Sequence, residues 1–175
     1  GWVFPKGEHL SIGVAAMPSS KASINNAYKK FLETLEISEI AEVRKYGFQI
    51  PLFPHRQLSQ GNILFTGDAA GLADPLVAEG ISHALFSGTG AGKALIQQEI
   101  PPADYYENYI KKELRNQIRA ARFLSRLFYD HPALTRRIMK RKGQYISEYV
   151  SDIFAGKRRY PENFNMVSRS ILKLL

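Results

Sequence analysis

The spacing of hydrophobic and polar positions differs between the two halves of the chain. In the first half, apolar residues come in short runs, which predict strands over Trp2–Pro5 and His9–Met17. Lys6-Gly7-Glu8 separates the two runs and contains the glycine that a tight hairpin turn favours. The chain is therefore expected to begin with an antiparallel hairpin.

One helix and two further strands are predicted next. Apolar residues at helical spacing indicate a helix that is capped by Ser20 or Ser23 and ends near Leu35. A strand-like run follows over Val43–Leu52. The continuously apolar run Ile63–Thr66 is typical of a short buried strand.

The second half has almost entirely the helical period. Five helices are predicted, approximately over Glu79–Gln98, Asp104–Tyr129, Pro132–Lys142, Gln144–Phe154 and Asn165–Leu174, with Asp104 as the N-cap of the second. The fold class is therefore α+β, with strands early in the chain and a mostly helical C-terminal region.

Composition narrows the class of protein. The chain is 45% hydrophobic and 23% charged, as soluble globular proteins are, and it contains no cysteine. The lack of cysteine excludes a disulfide scaffold, a thiolate metal site and thiol catalysis. No apolar run is long enough for a membrane-spanning helix, and no signal peptide is visible, so a cytoplasmic location is expected.

The formal net charge of +8 is concentrated in one segment. Residues 111–142 hold eleven basic residues against Glu113 and Asp130. Five of them form a stripe apart from the apolar face of the predicted helix: Lys111, Arg115, Arg119, Arg122 and Arg126. A helix face exposed to solvent is the commoner interpretation of such a stripe, and a surface that binds lipid headgroups is the functional alternative. Nucleic acid is not expected as a partner, because no nucleic-acid motif accompanies the stripe.

The residues from Ile63 to Ile81 carry the densest chemical signal. A buried strand delivers Gly67-Asp68 to its carboxyl end, where ligands gather in α/β sheets. Gly67 permits close backbone approach, and Asp68 offers an acceptor to a ligand hydroxyl. Glu79-Gly80-Ile81 opens a helix whose free N–H groups suit a partly negative group. An ordinary strand, turn and helix with a capping aspartate stays open as the alternative.

Two motifs in this sequence resemble those of a known family. Gly67-Asp68-Ala69-Ala70-Gly71, followed by Asp74-Pro75 and Glu79-Gly80-Ile81, resembles the second FAD-binding motif of the geranylgeranyl reductase family, within the para-hydroxybenzoate hydroxylase-like flavoproteins. Gly1–Gly7 resembles that family's Tyr-x-Trp-x-Phe-Pro motif without its tyrosine. The resemblance covers about residues 1–100. It implies antiparallel strands of the substrate side, followed by the second half of an FAD-binding domain.

The resemblance also implies roles for individual residues. Asp68 would bind the FAD ribityl hydroxyls, and Trp2 and Phe4 would wall a channel for a prenyl chain. The full cofactor-binding set is Gly67, Asp68, Ala69, Pro75, Leu76, Glu79, Gly80 and Ile81, and the substrate-binding set is Trp2, Phe4 and Pro5. Within the cofactor set, Pro75 and Leu76 would line the isoalloxazine. No metal is expected, and no catalytic residue is assigned; His55 and His83 are candidate proton donors by residue type only.

The sequence departs from the family pattern at two places. Ala78 stands where the family usually has glycine, and the first FAD motif, Gly-x-Gly-x-x-Gly, is absent. The sequence is therefore expected to be the C-terminal portion of a longer flavoprotein that holds FAD weakly by itself. Three parts are predicted: 1–60 on the substrate side, 61–100 in the FAD-binding domain, and the helical region 101–175. Open strand edges would let such a fragment self-associate.

The resemblance implies a function as well. The whole protein would be an FAD-dependent oxidoreductase that reduces isoprenoid C=C bonds in lipid or chlorophyll biosynthesis, by hydride transfer from reduced flavin. NADPH or a ferredoxin would supply the electrons, and the protein would contact an anionic membrane peripherally. The alternatives are a flavin monooxygenase, a halogenase or a quinone-linked flavoprotein of the same superfamily, and a basic binding module that is not an enzyme.

Overall fold

The computed structural model describes residues 1–17, 23–37 and 42–161. Five α-helices and two small antiparallel sheets lie in this part of the chain, which confirms the α+β class. The chain divides into two compact units, Gly1–Phe48 and Gln49–Leu175. The three-part division expected from the sequence stays a prediction.

The first unit begins with the hairpin. Strand β1 (Trp2–Lys6) pairs with β2 (His9–Gly13), from Trp2 opposite Gly13 to Lys6 opposite His9. Gly7 adopts a positive φ of 68° in the turn between them, as the sequence predicts. Strand β2 ends at Gly13, four residues before its predicted end.

A single helix follows the hairpin in this unit. Helix α1 (Ile24–Thr34) begins after Ser23, whose backbone is extended and whose side chain makes no capping hydrogen bond. The alternative cap Ser20 lies outside the described residues. The strand predicted over 43–52 is wrong, because that segment has no regular secondary structure. Its residues from 43 to 50 are all exposed and pair with no strand among the described residues, so alternating apolar side chains there bury nothing.

The second unit opens with a two-residue hairpin. Strand β3 (Ser59–Gln60) pairs with β4 (Ile63–Leu64). The predicted strand over 63–66 is therefore shorter than expected. It leads through the extended Thr66 into a 3-10 helix at Gly67–Ala70, which we call the Gly-Asp turn.

Four helices make up most of the second unit. They are α2 (Ile81–Ile96), α3 (Pro102–Glu113), α4 (Arg115–Asp130) and α5 (Pro132–Phe154). The single helix predicted from Asp104 to Tyr129 is thus divided in two at Leu114, whose φ of −105° is more negative than that of an ideal helix. Pro101 rather than Asp104 is the N-cap of α3, because Pro102 fits the first helical position and Asp104 then falls in the first turn.

The two helices predicted over 132–142 and 144–154 are joined into one. Helix α5 continues through both segments, with a kink at Lys142 (φ −135°, ψ 16°), next to the glycine that was expected to separate them. The helix predicted over 165–174 lies outside the described residues. None of the described helices is long and apolar enough to cross a bilayer.

Two buried clusters hold the second unit together. The larger cluster packs α2 against α3, and Gly90 is required there, because a Cβ on it would lie 2.5 Å from Cδ1 of Tyr109. The smaller cluster joins α4 to the loop that precedes α2, through Leu76, Ala120, Ala121 and Tyr160. Helix α2 therefore packs on α3, and the loop that precedes it packs on α4.

Candidate functional site

An open cleft of about 450 Å³ lies between the Gly-Asp turn and the first turn of α2. Its lining residues are Thr66, Gly67, Asp68, Gly80, Ile81 and Ala84. Four of the eight residues predicted to bind a cofactor thus lie together. Thr66 and Ala84 were missed; they stand one residue before and three residues after the motif, and their proximity follows only from the packing of the turn on α2.

Gly67 brings the turn into contact with α2. Its φ is +53°, and a Cβ at this position would lie 2.9 Å from Cβ of Ala84. Its N–H donates a 2.9 Å hydrogen bond to Oγ of the buried Ser87, whose hydroxyl donates in turn to the carbonyl of His83 at 2.7 Å. Any side chain at position 67 would push the turn away from the helix. The sequence predicted no role for Ser87.

Asp68 presents its carboxylate at the mouth of the cleft. The residue is exposed, and its carboxylate makes no hydrogen bond or ion pair with any described residue. A Cβ on Gly80 would lie 2.9 Å from Oδ1 of Asp68, so glycine at position 80 makes room for the carboxylate. An unpaired acceptor beside a helix start can bind a ligand hydroxyl.

The first turn of α2 is partly occupied by its own residues. Oε1 of Glu79 accepts a 2.9 Å hydrogen bond from the N–H of Ser82, and the carbonyl of Gly80 accepts one of 2.8 Å from Ala84. Glu79 therefore acts as a cap for the helix and places its negative charge at the positive end of the helix dipole. Within the described chain the N–H groups of Ile81 and His83 find no acceptor, so they are the donors left for a ligand.

Asp74 organises the loop between the Gly-Asp turn and α2. It is 2% exposed, and its Oδ1 accepts hydrogen bonds from the N–H groups of Leu76 (2.8 Å) and Val77 (3.2 Å). Its own N–H donates to the carbonyl of Glu79 at 2.7 Å, which closes the loop. Asp74 was quoted in the motif without a role; an aspartate before proline is a turn signal that could have suggested this one.

The remaining members of the predicted cofactor set do not line the cleft. Pro75 and Leu76 are buried, and Leu76 packs in the smaller core cluster. Ala69 is exposed on the turn but lies outside the lining, and Glu79 caps the helix. Pro75 and Leu76 are not brought to the cleft because the hydrogen bonds of Asp74 turn this loop toward α4.

Ala78 has a backbone conformation that favours glycine. Its φ is +56°, in the left-handed region, and its N–H donates a 2.8 Å hydrogen bond to the carbonyl of Asp74. Alanine in that region costs about 1–2 kcal/mol relative to its ordinary conformations. The glycine usual at this position in the resembled family thus has a local physical reason, and this chain tolerates the strain.

Two tyrosines fix the Asp74 loop from the helical side. The hydroxyl of Tyr160 donates to Oδ2 of Asp74 at 2.9 Å, and that of Tyr129 donates to the carbonyl of Leu76 at 2.7 Å. Burial, and then the negative charge of Asp74, raise the pKa of Tyr160 far above its ordinary value. The same two causes raise the pKa of Tyr129. Both phenols therefore keep their protons at neutral pH and act as donors.

The two candidate histidines make structural contacts. Nδ1 of His83 lies 2.6 Å from the carbonyl of Leu72, a distance at which a protonated Nδ1 donates to that oxygen. His55 is exposed, and its backbone N–H donates to the carbonyl of Ala70 at 3.1 Å. Neither side chain is among the residues that line the cleft.

The predicted substrate residues lie in the first unit. Trp2, Phe4 and Pro5 are exposed on β1, and the rings of Trp2 and Phe4 stack with their centroids 6.5 Å apart. A Cβ on Gly13 would lie 2.1 Å from the Trp2 ring, so this glycine lets the indole lie across the hairpin. The hairpin therefore presents an apolar aromatic surface, and its use for a substrate stays a prediction.

Several curated proteins are similar in sequence to this chain. A geranylgeranyl diphosphate reductase of Synechocystis is 29% identical over 120 residues, which is 63% of this chain and 29% of the relative. The chloroplastic geranylgeranyl diphosphate reductase of Nicotiana tabacum is 25% identical over 178 residues, 93% of this chain and 37% of its own length. A digeranylgeranylglycerophospholipid reductase of Methanosphaera stadtmanae is 32% identical over 117 residues, 63% of this chain and 29% of the relative.

This chain spans about a third of the length of these relatives. No family model matches it, and no solved structure does. The named relatives share one type of activity in their names: the cyanobacterial, plant and archaeal proteins are all called geranylgeranyl diphosphate or digeranylgeranylglycerophospholipid reductases. They confirm the resemblance predicted from the motifs: this chain is similar in sequence to geranylgeranyl and digeranylgeranylglycerophospholipid reductases.

Proposed function

We propose that this chain forms the C-terminal part of an FAD-dependent oxidoreductase that reduces isoprenoid C=C bonds. One observation carries the proposal: Gly67, Asp68 and Gly80, predicted as cofactor ligands from a motif, form one open cleft at the start of α2. The names of the relatives supply the substrate class, a geranylgeranyl or digeranylgeranyl group.

The residues of the cleft fit such a cofactor. The missing Cβ atoms of Gly67 and Gly80 let the Gly-Asp turn and the Asp68 carboxylate lie close to the start of α2. Asp68, whose carboxylate has no partner among the described residues, offers an acceptor to a sugar-alcohol hydroxyl, and the first turn of α2 offers N–H donors to a partly negative ring edge. Reduced FAD, when bound, supplies a hydride for one alkene carbon, and a proton completes the saturation.

Hydrogen bonds within the protein hold the two walls of the cleft, the Gly-Asp turn and the start of α2, in place. Asp74 and Tyr160 anchor the loop that ends at Gly80, so the start of α2 is rigid before a ligand arrives. Ser87 fixes the Gly-Asp turn on the same helix. Such preorganisation reduces the ordering that a bound cofactor would require.

The finer parts of the proposal concern substrate, electrons and location. Trp2 and Phe4 would contact the prenyl chain through the aromatic surface of the hairpin. NADPH or a ferredoxin would reduce the flavin, and an anionic membrane would be met peripherally. These parts rest on the family resemblance and on residue chemistry.

The test uses the native polypeptide that contains this chain. It is reduced with dithionite under anaerobic conditions and incubated with geranylgeranyl diphosphate, and the product is analysed by mass spectrometry. We expect bound FAD and a product that has gained two hydrogen atoms per reduced double bond. The Asp68→Asn variant should lose FAD, whereas Asp130→Asn, which changes an exposed aspartate at the end of α4, should retain it. A protein without flavin, or one that consumes oxygen with aromatic substrates and leaves the isoprenoid unchanged, would refute the proposal.

A further inference from the structure

A second cleft, of about 300 Å³, lies on the outer face of α4. Its lining consists of Arg119, Arg122, Phe123 and Arg126, and we call it the arginine cleft. The three arginines are spaced three and four residues apart, so their side chains leave the helix on one face. Ile118 and Ala121, on the opposite side of α4, are buried. The helix thus fixes three guanidinium groups around one concave surface.

These positive charges have no acidic partner in the part of the chain that is described. The ion pairs found there join Arg44 to Glu42, Arg158 to Asp152 and Arg159 to Glu113, and none of them reaches the arginine cleft. Asp130, four residues after Arg126, is not within ion-pair distance of it either. Like charges one helical turn apart repel each other, so the three arginines are electrostatically unfavourable together and a bound anion would relieve the repulsion.

One of the three guanidinium groups is already oriented. Cζ of Arg122 lies 4.0 Å from the centroid of the Phe53 ring, in a cation–π contact. The backbone of Phe53 passes close to Gly71, where an added Cβ would lie 2.0 Å from the Phe53 carbonyl oxygen. A guanidinium with one face on an aromatic ring keeps its N–H edges for acceptors in its plane. Part of the entropic cost of ordering the cleft is therefore met before a ligand binds.

We propose that the arginine cleft binds a phosphate-bearing anion, a phosphomonoester or a diphosphate. Planar guanidinium forks match two phosphate oxygens at once, and several of them together match the charge of a dianion. Phe123 also lines the cleft, so its wall is partly apolar. The proposal does not depend on the cleft between the Gly-Asp turn and α2, since it rests on residues of α4 and on Phe53.

The first experiment measures inorganic diphosphate binding to the 175-residue chain by calorimetry at low salt. The double variant Arg119→Gln/Arg126→Gln should bind at least about tenfold more weakly, because charged hydrogen bonds are lost. The matched control is Arg136→Gln/Arg137→Gln, which removes the same charge from exposed positions of α5 outside the cleft. It should change the affinity by no more than about twofold, as distant surface charges do. All four positions are exposed, and circular dichroism verifies that each variant is folded.

A third variant separates geometry from charge. Arg119→Lys/Arg126→Lys keeps the net charge and removes the forks, so it should still lose several-fold in affinity. If it binds as the unchanged chain does, or if the α5 control weakens binding as much as the cleft variant, diffuse positive charge explains the binding and the proposal is overturned. If the chain binds neither diphosphate nor, through the cleft, vesicles that contain phosphatidic acid, the proposal is overturned as well.

Vesicles distinguish the two sources of the phosphate group. The chain is sedimented with phosphatidylcholine vesicles with and without phosphatidic acid, in the presence and absence of diphosphate. Binding that requires phosphatidic acid, competes with diphosphate and is lost in Arg119→Gln/Arg126→Gln assigns the cleft to a lipid headgroup. Diphosphate binding without vesicle binding assigns it to a soluble phosphate ligand. Equal vesicle binding by the chain and the cleft variant, without diphosphate binding, overturns the proposal. No flavin is present, so the outcome does not depend on the proposed function.

Discussion

The hydroxyl of Tyr160 donates a 2.9 Å hydrogen bond to Oδ2 of Asp74, across 86 positions of sequence. Both residues are buried, and Gln117 completes the link: its Oε1 accepts the N–H of Tyr160 at 2.7 Å. Because Asp74 closes the loop that precedes α2, the bond connects a residue beyond α5 to the start of the helix that lines the candidate cofactor cleft. The C-terminal helical region therefore has a direct part in holding that cleft.

Removal of this hydrogen bond should destabilise the fold. Tyr160→Phe keeps the ring and leaves Oδ2 of Asp74 buried without its donor, which costs about 1–3 kcal/mol in the free energy of unfolding. Urea denaturation followed by circular dichroism measures the loss. The control Tyr145→Phe removes a hydroxyl from a residue that is 58% exposed and should change little. Equal effects of the two substitutions would contradict the role given to Tyr160.

Alkaline pH should weaken the same link. The pKa of Tyr160 is raised in the folded chain from an ordinary value of 10.0, so the folded state holds the phenolic proton more tightly than the unfolded state. Its contribution to stability is fully present below about pH 10 and is lost as the pH rises further. The unfolding free energy of the unchanged chain should therefore fall more steeply above that pH than that of Tyr160→Phe. Parallel profiles would show that Tyr160 does not cause the alkaline loss.

The strained Ala78 provides a stabilising substitution. Ala78→Gly relieves the positive φ, which costs alanine about 1–2 kcal/mol, and loses part of this gain through the greater freedom of glycine in the unfolded chain. The net expectation is a gain of about 0.5–1 kcal/mol in thermal or urea unfolding. Ala69→Gly is the control, since Ala69 is exposed on the Gly-Asp turn and has no positive φ to relieve. A gain there of the same size would contradict the strain argument.

The sequence predicted the residues of the candidate cleft more accurately than it predicted the helices and strands around the cleft. The Gly67-Asp68 pair and Gly80 could be assigned because their roles depend on local backbone: a positive φ, a missing Cβ, a helix start. Ser87 and Ala84 could not, since only the packing of the turn on α2 brings them close.

The same distinction explains the errors in secondary structure. Apolar alternation over 43–52 resembles a strand, but alternation carries no information about whether a partner strand exists. The break at Leu114 was missed because the apolar stripe continues through it, and both helices bury the same face. Two helices were predicted on either side of Gly143, but they form one helix with a kink at Lys142, because a glycine weakens a helix locally without ending it.

Gly71, the residue that follows the Gly-Asp turn, should not tolerate a side chain. It has a φ of +70°, and an added Cβ would lie 2.0 Å from the carbonyl oxygen of Phe53, which is backbone and cannot move aside easily. Gly61 offers a matched control, because its φ is +57° and nothing lies within 4 Å of an added Cβ. Gly61→Ala should cost about 1 kcal/mol from conformation alone, and Gly71→Ala at least about 2 kcal/mol more. Equal unfolding free energies for the two variants would contradict the close approach.

The 175-residue chain should bind FAD weakly. Its cleft offers contacts to hydroxyls and to one ring edge, whereas the Gly-x-Gly-x-x-Gly turn that would hold the diphosphate of the cofactor does not occur in this sequence. Added FAD should therefore separate from the chain in gel filtration, and titration should still detect weak binding by the change in flavin fluorescence.

Asp68→Asn should abolish that change, and Asp130→Asn should preserve it, because Asp130 lies outside the residues that line the cleft. Stoichiometric yellow protein after filtration would contradict the weak affinity. A fluorescence change that survives Asp68→Asn would contradict the assignment of Asp68 to the cofactor.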